Sequence, residues 1–106
     1  MVIKQHPEGA GQDFYDDMIE CLKLLEKHKG NDDKNGIETI NNYKENRLWL
    51  SPAEREIVEA VSDMYFWVWL YYDSDNDQTM IARDTIMTVS NLMGVNIDVN
   101  KLLQKK

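Results

Sequence analysis

One continuous stretch, residues 51–73, constrains the fold more than any other part of the chain. It reads SPAEREIVEAVSDMYFWVWLYYD. Ser51 and Glu54 have the spacing of a capping box, and Pro52 occupies the first helical position, where its missing N–H costs nothing. Beyond this cap, apolar residues recur every three or four positions, which predicts a helix over residues 51–72. The residues of that apolar stripe are Ile57, Val61, Met64, Tyr65, Val68 and Tyr72.

The second half of this helix, residues 64–72, is apolar or amphipathic on every side. A helix that is hydrophobic all round must be covered on most of its circumference, and this run is shorter than the ~20 residues that span a bilayer. We therefore expect it to be the central helix of a bundle. The alternative is that Tyr65, Trp67 and Trp69 are exposed and anchor a protein partner, since aromatic residues are enriched at binding hot spots. Exposed aromatics would also favour a homodimer, because a contiguous apolar patch rarely stays in water.

The rest of the chain completes a small helical domain. Apolar residues at helical spacing predict helices over residues 12–29, 37–48, 78–93 and 99–103. Residues 1–11 show no period and contain Pro and Gly, which is typical of a flexible arm. The sequence thus predicts one all-α domain over residues 1–106, a compact bundle of four main helices with a short C-terminal helix.

Composition narrows the classes of partner. The formal net charge of -7 argues against binding to nucleic acid or to an anionic membrane, because both need a basic surface. It is compatible with a partner protein that has a basic surface. Cys21 is the only cysteine, and no Cys/His spacing suits zinc. Together with an N-terminus that lacks a signal-peptide pattern, this favours the cytoplasm of a bacterium or of an infected host cell.

An acidic segment over residues 73–84 resembles the calcium-binding loop of EF-hand proteins. Four aspartates stand at the first, third, fifth and twelfth loop positions: Asp73, Asp75, Asp77 and Asp84. Gln78 replaces the glycine of the sixth position, and Ile81 occupies the ninth. The resemblance implies a module that binds Ca²⁺ or Mg²⁺ through these aspartates. The alternative is that Asp75 caps the next helix with Gln78 as its capping-box partner.

A second acidic group lies on the central helix. Glu56, Glu59 and Asp63 share one helix face, and such carboxylates can hold Mg²⁺. The chain resembles the all-α nucleoside-triphosphate pyrophosphohydrolases in its size, in the order of its helices and in the glutamate pair Glu56 and Glu59. The second acidic pair of that family is incomplete, since Ile81 stands where a glutamate would precede Asp84. The alternative is that the three carboxylates are the solvated side of the helix.

No residue pattern predicts nucleophilic catalysis or a phosphate-binding loop. The leading hypothesis is therefore a small acidic, non-enzymatic interaction module without a cofactor, which inhibits or regulates a basic or nucleic-acid-binding partner. This follows the analogy of small acidic inhibitors encoded by mobile elements such as phages. The predicted partner-binding residues are Tyr65, Trp67, Trp69, Glu56, Glu59 and Asp63.

Overall fold

Helices dominate the computed structural model, which describes residues 2–3, 7–28, 34–73 and 79–104. The main helices are α1 (Gln12–His28), α2 (Lys34–Glu45), α3 (Pro52–Asp73) and α4 (Thr79–Met93), and a short α5 (Val99–Leu102) follows. A 3₁₀ turn, Arg47–Trp49, connects α2 to α3. The predicted all-α bundle of four main helices with a short fifth is confirmed.

The central position of α3 is also confirmed, since it packs against α1, α2 and α4. Its buried stripe meets buried side chains from each of these helices, and α5 closes one end of the core. The largest fully buried side chains come from α1, α3 and α4: Met18, Leu25, Ile57, Met64, Ile86 and Met93. A domain of this size buries only a modest core, so each of these residues carries a sizeable share of the stability.

The start of α3 has the predicted capping box. The Ser51 N–H donates to Glu54 Oε1 at 2.8 Å, and the Glu54 N–H donates to Ser51 Oγ at 3.1 Å. The same two side chains also bind the segment before α1. Gly11 N–H donates to Glu54 Oε2 at 3.0 Å, and the Ser51 hydroxyl donates to the Gly9 carbonyl. Residues 9–11, which we expected in a flexible arm, are therefore held against the first turn of α3.

A short strand pair, which the sequence did not reveal, connects the beginning of the chain to the segment after α4. β1 (Val2–Ile3) pairs antiparallel with β2 (Val95–Asn96). Each strand has two residues. A segment this short cannot show the alternating pattern by which strands are recognised.

The predicted position of α2 was wrong by one turn. The helix spans Lys34–Glu45 instead of residues 37–48. Gly36 is buried inside it, and its carbonyl lies 3.8 Å from Cys21 Sγ on α1. Farther along α2, the Tyr43 hydroxyl donates to Asp17 and its ring packs edge-on against Phe14.

The ends of α4 and α5 are fixed by local caps and by distant tyrosines. Gly94, with φ of 63°, ends α4, and the Asp98 carboxylate accepts the Lys101 N–H at 3.1 Å to begin α5. Tyrosine hydroxyls then donate to backbone carbonyls at these helix ends. The donor–acceptor pairs are Tyr15 to Met93, Tyr71 to Leu103 and Tyr72 to Leu102. Carbonyls at a helix end lack partners within the helix, so these bonds satisfy groups that would otherwise need water.

Within the described part of the chain, no helix combines the length and the apolar character needed to cross a membrane.

Candidate protein-interaction site

The aromatic half of α3 is divided between the core and the surface. Met64, Tyr65 and Val68 are buried, whereas Phe66 and Trp69 are 54% and 47% exposed. Three further aromatics are partly buried and pack against the core: Trp67, Tyr71 and Tyr72. Within this one run, some aromatic side chains thus belong to the core and others are exposed.

The three aromatic residues predicted to bind a partner, Tyr65, Trp67 and Trp69, differ in how far they are exposed. Tyr65 faces the core, where its hydroxyl donates to the Cys21 carbonyl on α1, so it is not part of an exposed surface. Trp67 is partly buried, and its ring lies edge-on to Phe66 with 5.4 Å between the ring centroids. Trp69 is exposed as predicted, and Phe66, which we had not selected, is more exposed than Trp69.

An open groove of about 350 Å³ runs between α3 and α4. Its walls come from residues at helical spacing on each helix, because side chains three or four apart share a face. The α3 wall consists of Glu56, Glu59, Ala60 and Asp63. The α4 wall consists of Ile81, Asp84, Thr85, Thr88 and Leu92. The groove therefore combines four carboxylates with an apolar lining of Ala60, Ile81 and Leu92.

Exposed apolar side chains lie one helical turn from two of the groove carboxylates. Met80 and Met87 stand seven residues apart on α4, on either side of Asp84, and are 79% and 54% exposed. On α3, Phe66 follows Asp63 at a spacing of three, which keeps it on the same helix face. We call this acidic and apolar surface the hairpin face. It comprises Glu56, Glu59, Asp63, Phe66, Met80, Ile81, Asp84 and Met87.

The predicted cation loop is only partly covered by the structure. Asp73 is exposed at the last residue of α3, and Asp84 is exposed within α4, where it lines the groove. Asp75 and Asp77 lie outside the described residues. Among the residues that are described, no group of three or more His, Cys, Asp or Glu side chains could hold a metal ion. The EF-hand-like loop therefore stays a prediction.

The acidic residues of the pyrophosphohydrolase resemblance do meet in one place. Glu56, Glu59 and Asp63 lie across the groove from Asp84. The α4 wall adds hydroxyl and apolar side chains where the family would supply a further carboxylate. Mg²⁺ binding to the protein needs closely placed oxygen ligands, and the described carboxylates form no such group.

Sequence reasoning missed a second exposed apolar feature. Leu48 and Trp49, in the 3₁₀ turn before α3, are 84% and 87% exposed. We had taken Leu48 as part of the stripe of α2, whose helix ends at Glu45. One signal was available in the sequence. Trp49 lies two residues before the Ser51 cap, so it belongs to a connection and not to a helix stripe.

Electrostatics at the start of α3 favour an ionised Glu54. Burial acts to raise the pKa of the Glu54 carboxyl, but hydrogen bonds from the Ser51 and Gly11 backbone N–H groups outweigh it and lower the pKa. A carboxylate that accepts backbone N–H bonds is stabilised in its charged form. Glu54 therefore acts as a structural anion that joins the first turn of α3 to the segment before α1.

Comparison with known proteins identifies no relative. No protein-family model matches the chain, and no curated protein or solved structure is significantly similar to it. The function must therefore be argued from the surface itself.

Proposed function

We propose that this protein is a non-enzymatic interaction module whose hairpin face binds a basic, amphipathic segment of a partner protein. One observation carries the proposal. The groove between α3 and α4 presents four carboxylates beside apolar Ile81, and exposed Phe66, Met80 and Met87 lie one helical turn from Asp63 or Asp84.

Each component of this face suits such a ligand. Apolar side chains in the groove and beside it supply the contact area, and Met side chains adapt to ligands of varied shape. The carboxylates select Lys and Arg and speed the encounter with a positively charged partner. Arg83, an exposed residue of α4, adds one positive charge near this face. The net charge of -7 nevertheless keeps the overall potential of the protein negative.

The proposed activity is inhibition or regulation by occlusion. A protein that binds nucleic acid has a basic surface with which it contacts phosphates. An acidic face that occupies this surface competes with the nucleic acid without any catalytic step. We propose that the protein acts in the same cytoplasmic compartment as such a partner, in a bacterium or an infected host cell.

A defined peptide tests the proposal. The probe is a labelled helical peptide with Lys and Arg on one face and Leu on the other, and fluorescence anisotropy measures its binding. Glu59→Lys combined with Asp63→Lys should weaken binding at least ~10-fold, because both carboxylates line the groove. Glu38→Lys combined with Glu45→Lys is the charge-matched control, since both are exposed acids on α2, and it should change affinity less.

The same assay can contradict the proposal. Binding should also fall steeply with added salt, because exposed charges are screened beyond ~10 Å at 0.1 M ionic strength. Equal losses from the groove and the α2 substitutions would show that only net charge matters. Unchanged affinity in the groove variant would mean that the peptide does not bind in the groove.

Hydrolysis of nucleoside triphosphates is the second candidate. It is favoured by one observation, that Asp84 lines the same groove as Glu56 and Glu59. With Mg²⁺ present, an enzyme of this kind would release pyrophosphate, and Glu56→Ala would abolish that release. Turnover equal to that of the Glu56→Ala variant would exclude this activity.

A further inference from the structure

The 3₁₀ turn between α2 and α3 forms a protruding apolar feature. Its two successive side chains, Leu48 and Trp49, are almost fully exposed although each is large and apolar. Tryptophan is the residue most enriched at binding hot spots, where it fills a pocket in the partner. We call residues 47–49 the Trp49 knob. A paired Leu and Trp at a helix junction present a compact apolar tip to any concave surface.

Basic groups flank this knob in an otherwise acidic protein. Arg47 Nη1 donates to the Lys44 carbonyl at 3.4 Å, and Arg55 Nε donates to the Leu50 carbonyl at 3.2 Å. Both guanidinium groups are thus held close to the knob by backbone carbonyls. Among the described residues, neither forms an ion pair with a carboxylate. Their charges are therefore available to an acidic surface.

The groove between α3 and α4 has the complementary properties. Its lining is apolar at Ala60, Ile81 and Leu92, and its acidic residues come from both helices. Its volume of about 350 Å³ lies within the usual range of ligand pockets. An apolar tip with two Arg neighbours matches an apolar groove with carboxylates in polarity and in charge.

We infer that the occupant of this groove is a second copy of this chain, whose Trp49 knob docks between α3 and α4. The inference rests on the proposed function, because it uses the same groove and the same preference for a basic, apolar ligand. The contact joins two different surfaces, so each copy offers one knob and one groove. Self-association and partner binding are then mutually exclusive at the groove, so self-association limits the activity of the protein.

Sedimentation velocity over a range of protein concentrations tests the inference. The wild type should self-associate at low salt and dissociate at ~1 M salt, where the screening length is ~3 Å. Trp49→Ala removes the knob, and Glu59→Lys combined with Asp63→Lys alters the groove. Each variant should weaken self-association at least ~10-fold. The matched controls are Ile37→Ala, and Glu38→Lys combined with Glu45→Lys, which change exposed residues of α2 and should associate like the wild type.

Mixing the two defective variants gives the decisive result. The Trp49→Ala chain keeps an intact groove, and the groove variant keeps an intact knob, so the mixture should form a 1:1 complex that neither variant forms alone. A wild type that stays monomeric at all concentrations would overturn the inference. So would self-association that survives Trp49→Ala, or a mixture that stays monomeric while the wild type associates.

The outcome is distinguishable from failure of the proposed function. Trp49→Ala leaves the groove intact, so this variant should still bind the basic amphipathic peptide, at least as tightly as the wild type. Peptide binding without self-association would overturn only the inference that a second copy docks in the groove. If neither the peptide nor a second copy binds, the hairpin face is not a docking surface, and both proposals fail.

Discussion

The two halves of α3 differ in how far their sequence determines which side chains are buried. In the first half, charged and apolar residues alternate at helical spacing, so the buried face is evident from Ile57 and Val61. In the second half every position from 64 to 72 is apolar or amphipathic, and burial depends on which neighbours cover it. Tyr65 is covered by α1, whereas Phe66 stays half exposed. In this half, hydrophobicity therefore predicts that the helix packs in the domain, but it does not predict which side chains face the core.

The largest expected effect is loss of packing in the second half. Met64 is completely buried, so Met64→Ala should lower the free energy of unfolding by about 2–5 kcal/mol through lost burial and the cavity that remains. Urea denaturation followed by circular dichroism measures the change. A loss below ~1 kcal/mol would indicate that the neighbouring helices collapse into the space, and the contrast between Met64 and Phe66 would then be weaker than the structure suggests.

The next effect concerns the polar beginning of the helix. Ser51→Ala removes the acceptor of the Glu54 N–H and the hydroxyl that reaches Gly9. We expect a loss of about 0.5–2 kcal/mol, the usual cost of an N-cap substitution. Thr at the same position is the control, because it keeps a hydroxyl. A Ser51→Thr variant as unstable as Ser51→Ala would mean that the capping bond is not responsible.

A buried hydroxyl sharpens the comparison within the second half. Tyr65→Phe keeps the ring in the core and removes only the hydrogen bond to the Cys21 carbonyl. The free energy of unfolding should fall by about 1 kcal/mol, the typical net contribution of such a bond. Denaturant titration of this variant beside the wild type gives the difference. An unchanged midpoint would contradict the assignment of that bond.

The lowered pKa of Glu54 predicts a specific dependence on pH. The folded-state pKa lies below the ordinary value of 4.5, so the contribution to stability is present above about pH 4.5 and is lost as pH falls through the folded value. Melting temperatures between neutral and acidic pH should therefore decline less in Glu54→Gln than in the wild type. Parallel decline in the two proteins would assign the acid sensitivity to other carboxylates.

The smallest effect is expected at the exposed part of the aromatic run. Phe66→Ala should change the free energy of unfolding by only ~0.5 kcal/mol, as is usual for surface positions. It should nevertheless weaken binding of the basic peptide, because Phe66 belongs to the hairpin face. Trp69→Ala tests the neighbouring position in the same two assays. A large loss of stability from either substitution would mean that the exposed side chain supports the core and not a partner.

Much of the fold followed from local signals in the sequence. The Ser51 and Asp98 caps mark helix starts through side-chain hydrogen bonds that act over three residues, and Gly94 marks a helix end through its positive φ. The position of α2 did not follow, because Asn35 and Gly36 are typical of a turn, whereas the structure places both inside the helix. Packing of α2 against α1 depends on the tertiary structure, which local residue preferences do not reveal.

The candidate site followed less completely. Glu56, Glu59 and Asp63 were identified from their common helix face, but their meeting with Asp84, Ile81 and Leu92 depends on how α3 and α4 pack. Exposure of Leu48 and Trp49 depends on the end of α2 at Glu45 and was not predicted. An apolar residue in a connection between helices belongs to no periodic pattern. Arguments from residue spacing therefore cannot identify exposed residues such as Leu48 and Trp49.

The hydrogen bond from Tyr15 on α1 to the end of α4 bears on the order in which parts of the chain fold. The Tyr15 hydroxyl reaches the Met93 carbonyl across 78 residues of sequence. Closing a loop of that length costs entropy before the bond can form, whereas the hairpin of α3 and α4 closes over a few residues. This difference predicts that the hairpin forms before α1 docks against α4. A chain that has not yet placed Tyr15 already possesses the groove, but it lacks the cover that fixes the far end of α4.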